Sequence, residues 1–131
     1  MALNPNELRT TAPGIGSGLR VYSTSTQPKT FAQGSGTLAK ATPVAKHTTT
    51  GHWHVWDNGG ANGLNVIGGF VWSDDIALDS DEEVIGNVMM SGRIHYGDIV
   101  LPAGEMESDL KTALSAAREK GFIIEGLEGW G

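Results

Sequence analysis

Apolar positions in this chain come in short bursts, and their period changes once near the C-terminal end. Gly36 to Ala45 (GTLAKATPVA) reads as a strand broken near Pro43. Gly51 to Trp56 reads as a short strand. Strand alternation puts His52, His54 and Trp56 on one face and Trp53 and Val55 on the other. Leu64 to Trp72 (LNVIGGFVW) is almost continuously apolar, the pattern of a strand buried on both faces. Gly68-Gly69 inside it suggests a bulge or a close backbone approach. Glu83 to Met90 predicts another strand, turned at Ser91-Gly92 into Arg93 to Tyr96, with Asp98 to Leu101 continuing the β pattern. Leu110, Ala113, Leu114 and Ala117 then recur at helical spacing. Ser108 is placed to cap this helix, Arg118 and Lys120 suit its last turn, and Gly121 suits the position after it. Phe122-Ile123-Ile124 predicts a closing strand. The body is therefore mostly β with one α-helix in the C-terminal region.

The first 36 residues behave differently. Ser, Thr, Gly, Pro and Asn dominate, and large apolar residues are sparse, so this stretch predicts a flexible arm ahead of a β-rich body over 37–131. Within the arm, Leu19-Arg20-Val21-Tyr22-Ser23-Thr24 alternates β-prone residues and fits a strand added to a partner's sheet edge. Charge divides along a similar line. Residues 1–46 set Arg9, Arg20, Lys29, Lys40 and Lys46 against Glu7 alone, a net +4, while residues 47–131 carry four basic and fourteen acidic side chains, a net −10. An acidic body argues against wrapping nucleic acid, and a basic arm suits an acidic surface.

Composition closes several routes. The 131 residues suit a single body beside the arm, and the absence of cysteine excludes disulfides, thiolate metal sites and Cys nucleophiles. MALNPNELRTTAPG has no apolar run and no basic n-region, so no signal peptide is expected, and Val66 to Trp72 is too short to span a bilayer. Synthesis in a cytoplasm is the expectation.

A few motifs offer candidate chemistry. His52 and His54 can present two imidazoles on one strand face, and a metal needs one or two further ligands. The cupin pattern fails here: Asn58 stands four residues after His54, and no histidine follows Pro102-Ala103-Gly104. An EF-hand counted from Asp79 meets Val84 and Met90 where Gly and Glu are required. Gly14 to Gly18 follows no strand and lacks the Gly-Lys-Ser/Thr ending of a phosphate loop. No Ser/His/Asp set stands out. Trp53, Trp56, Trp72 and Trp130 can line a sugar-binding face, but Trp56, Phe70 and Trp72 read better as structural core, with Trp130 at a surface or interface. No catalytic, cofactor or metal residue is assigned.

Three stretches in order carry a resemblance. Gly36-Thr37-Leu38-Ala39 through Thr42-Pro43-Val44 is followed by Val55-Trp56-Asp57, a Gly-rich turn and Ile67-Gly68-Gly69-Phe70-Val71. Ser91-Gly92-Arg93-Ile94-His95-Tyr96-Gly97-Asp98-Ile99-Val100-Leu101-Pro102 is the best match. Over roughly positions 37 to 125 the chain resembles the lambda-type head decoration proteins of tailed phages. The resemblance implies a β-clip-like body, an arm that orders on the capsid, and a homotrimer at three-fold and quasi-three-fold sites of the expanded head. It implies the major capsid protein as partner, with no membrane, no nucleic acid, no cofactor and no catalysis. It locates the protein on the outer surface of the virion. Leu19, Arg20, Val21, Tyr22, Ser23 and Thr24 are the expected capsid-binding segment. A small β carbohydrate-binding module is the alternative, and a cupin-like metalloenzyme comes third.

Overall fold

The computed structural model describes residues 24–72 and 74–127. Its chain order is β1 (Ser25–Phe31), β2 (Thr37–Leu38), β3 (Pro43–Lys46), β4 (Trp53–Val55), β5 (Gly69–Val71), β6 (Ile76–Ala77) and β7 (Val84–His95). A 3-10 turn (Tyr96–Asp98), α1 (Glu107–Ala117), a second 3-10 turn (Arg118–Lys120) and β8 (Phe122–Glu125) complete it. The protein is mostly β with one helix, as its periodicity predicts.

Five strands close on themselves in the order β1-β4-β3-β5-β7, with β1 returning to pair β7, so the sheet is barrel-like. β7 is the long member. Its first part runs antiparallel to β1, its middle meets β5, and its end runs parallel to β8. A parallel neighbour needs a crossover, and α1 supplies it. β2 and β6 form a separate two-stranded ribbon.

Two cores follow from strand alternation. Phe70 and Val71 are adjacent and both fully buried, so they face opposite sides of β5; Val88 and Met89 do the same on β7. One cluster takes Phe31, Trp53, Val44, Val71 and Val88, one from each strand of the ring. The other takes Trp56, Phe70, Met89 and Ile94 against Leu110, Leu114, Phe122 and Ile124. The Phe70 and Phe122 rings meet edge to face at 5.1 Å and fasten the helix layer to the sheet.

Four local expectations are corrected. Ser25–Phe31, expected within the arm, is a strand of the barrel and Phe31 is fully buried. Its sequence, STQPKTF, has no alternating pattern; pairing with β7 from Phe31↔Val84 to Ser25↔Ser91 makes it a strand. Pro28 is tolerated because β7 is the one strand beside it among the described residues. Ser91-Gly92 does not turn the chain. The register slips between Ser25 and Thr26, and Gly92 takes φ 135°, so β7 bends through a bulge and continues to His95. Beyond it Tyr96–Asp98 form a 3-10 turn that takes in Asp98, and Ile99 to Leu101, expected to continue the β pattern, join no strand although Ile99 is extended; the Val100 N–H bonds the Ala41 carbonyl at 3.1 Å. Finally, Met106 stands at the helix N-cap with no side-chain bond, and Ser108 lies inside the helix with its carbonyl accepting the Thr112 hydroxyl. The Gly121 expectation holds, in a left-handed conformation at φ 108°. So does the close approach at Gly68-Gly69: a Cβ on Gly69 would lie 2.5 Å from Val88 Cγ1 and 2.6 Å from the Met89 carbonyl oxygen.

Candidate functional site

Of the segment expected to bind a capsid, Leu19, Arg20, Val21, Tyr22 and Ser23 lie outside the described residues, as does Trp130. Thr24 is exposed immediately before β1. Its Cα sits 2.9 Å from where a Cβ on Gly92 would be. Thr24 therefore lies at the bend of β7.

The structural residues separate by depth. Trp56 and Phe70 are fully buried, and the Trp56 indole N–H donates to the Asn65 carbonyl at 3.0 Å, which fixes the turn that follows β4. Trp72 is half-buried. Lys40 Nζ sits 4.7 Å from its ring centroid, while the Lys40 backbone N–H bonds Asp75 Oδ1 at 3.0 Å. Trp53 is a core residue that alternation alone missed. It is 4% exposed, because β4 is covered on both faces and not on one. Its ring edge fills the space over Gly68, whose Cβ position lies 3.0 Å away. Trp53 and Trp56 thus offer no ring face to a ligand.

Three of the four histidines gather at the β3–β4 corner. The rings of His47 and His54 lie 6.0 Å apart between centroids, and His52 Nε2 reaches Glu83 Oε2 at 3.0 Å. His54 titrates below the ordinary histidine range, first because burial disfavours its charged form and then because His47 and His52 repel a third positive charge. His52 Nε2 is thus engaged by the Glu83 carboxylate. Among the described residues no group of three His, Asp or Glu is placed to hold a metal ion. A cleft of about 270 Å³ beside this corner is lined by Phe31, Leu38, Trp53, Val55 and Leu78, and His54 is its one titratable side chain.

Exposed apolar side chains mark two further surfaces. Ile85 is 73% exposed on β7 opposite Thr30, and Met106 and Leu101 protrude from the loop before α1. No family model and no curated protein matches this chain.

Proposed function

We propose that this protein is a non-enzymatic capsid decoration protein of the lambda type. It binds the expanded icosahedral head of a tailed phage as a homotrimer at three-fold and quasi-three-fold sites, on the outer surface of the virion. The major capsid protein is its partner. The observation that carries the reading is the order and spacing of the three matching stretches, the best of which, Ser91 to Pro102, runs from the bend of β7 into the loop before α1. A mostly β body with one packed helix is compatible with it, and we extend that coarse architecture to a β-clip-like assignment.

The mechanism needs no chemistry. Residues 1–23 reach neighbouring coat subunits, with Leu19 to Thr24 adding a strand to a coat sheet edge. Three such contacts in one trimer gain avidity that a single arm lacks. A ligand that binds the expanded lattice alone stabilises that lattice against internal DNA pressure.

The test is co-sedimentation with undecorated heads, expanded and unexpanded, using the full chain beside one lacking residues 1–23. Saturable binding to expanded heads that is lost with the arm is the expected result. Binding that survives the deletion moves the interface to the body, and binding to neither head form overturns the reading.

A further inference from the structure

Two of the four histidines are hydrogen-bond acceptors. His47 Nδ1 receives the backbone N–H groups of Thr49 and Thr50 at 3.2 and 3.1 Å. His95 Nδ1 receives the Gly97 N–H at 3.0 Å. A ring nitrogen that accepts such a bond carries no proton, so both rings must be neutral with hydrogen on Nε2. Each ring closes a tight loop. The first joins β3 to β4, where Gly51 takes φ 77° and donates to the His47 carbonyl at 2.8 Å. The second opens the 3-10 turn at Tyr96–Asp98, between the end of β7 and the loop leading to α1.

We propose that His47 and His95 are acid-released clasps: protonation of each ring releases the amides it holds, Thr49 and Thr50 or Gly97, while the barrel stays closed. One proton from water binds Nδ1, and the N–H groups that pointed at a lone pair then face another donor. Both loops lose side-chain anchors at their first residue, whereas the strand ladders around them involve no imidazole.

The surrounding charges are of both signs. Around His47 stand His54 of β4 and His52 just before that strand, with Lys46 next to it on β3, and Glu83 is engaged with His52. His95 is the register partner of Glu125, which itself meets Arg93 Nε at 3.3 Å. Asp98 lies in the turn, and Gly126 backs Nε2 closely. The inference stands on loop geometry and holds whichever partner the protein takes.

The experiment is NMR on the full chain. Long-range imidazole correlations at pH 7.5 should show the Nε2–H tautomer at both rings. Amide protection of Thr49, Thr50 and Gly97, corrected for intrinsic exchange, should fall by several-fold to roughly tenfold between pH 7.5 and 5, with Val88 and Ile94 unchanged. His47→Asn and His95→Asn keep an acceptor that does not titrate, because Asn closes the same turn through Oδ1. These variants should retain protection at pH 5. An Nδ1–H tautomer at either ring overturns the proposal on the native protein alone. So does an equal acid loss in the Asn variants, or a loss spread across the barrel.

Discussion

At the scale of single residues, glycine and histidine carry the sharpest constraints. Gly69 lets β5 approach β7 so closely that any side chain meets both Val88 and the Met89 backbone. Gly69→Ala should destabilise the fold by roughly 1–3 kcal/mol, the range for overpacking a filled core. Gly59→Ala should leave stability nearly unchanged, since its Cβ would meet nothing nearer than Asp57 Oδ1 at 4.0 Å. Equal midpoints for the two variants in urea would contradict this account. His54 sets a slope with pH. Its folded form resists protonation, so below the ordinary histidine range the unfolded chain binds more protons, and stability falls as pH drops through that window. His54→Gln should flatten this slope between pH 7 and 5, measured by urea unfolding at each pH. The doublet His52-x-His54 was legible in the sequence as a pair of imidazoles. The acceptor role of His47 was not, because it depends on a loop that returns Thr49 and Thr50 to the ring.

Among the elements, α1 carries its own signal in the helical stripe Leu110, Leu114 and Ala117, whereas of the run Leu64 to Trp72, read as one strand, only Gly69-Phe70-Val71 is β5; Leu64 and Asn65 lie in a turn, and Asn65 and Val66 are exposed. β1 carries no such signal. Gln27, Pro28 and Lys29 argue against a strand, and seven residues of register with β7 override them. Ser91-Gly92 misled for the opposite reason. Its composition is that of a turn, and the same glycine freedom serves a bulge when strands lie on both sides of the bend. The body therefore includes residues 25–31 and does not begin at 37. A chain starting at Thr24 should keep the cooperative unfolding of the full protein. One starting at Thr37 loses Phe31 from the core and one wall of the barrel, and should unfold at far lower urea concentration or fail to fold. Near-identical midpoints for the two truncations would show that β1 is dispensable.

For the molecule as a whole, the charge division read from the sequence remains partly visible. The acidic run from Asp74 to Glu83 spans the β6 ribbon and the approach to β7, near the exposed Ile85. Lys29 and Lys40, counted with the arm, lie over the Trp53 and Trp72 rings of the body. The cationic character belongs in part to the body's own surface, which leaves Arg9 and Arg20 as the cations of residues 1–23.

The shared strand also sets an order of events during synthesis. β1 emerges from the ribosome long before β7, yet Phe31 closes the ring by pairing with Val84. The nascent chain must hold its first strand unpaired on that edge until more than fifty further residues have been made, and the parallel pairing with β8 waits longer still. Such long-range closure is slow compared with local helix formation. The uncharged, weakly apolar sequence of Ser25–Pro28 is then an asset, because a strand that must wait exposed gains from having little to aggregate with.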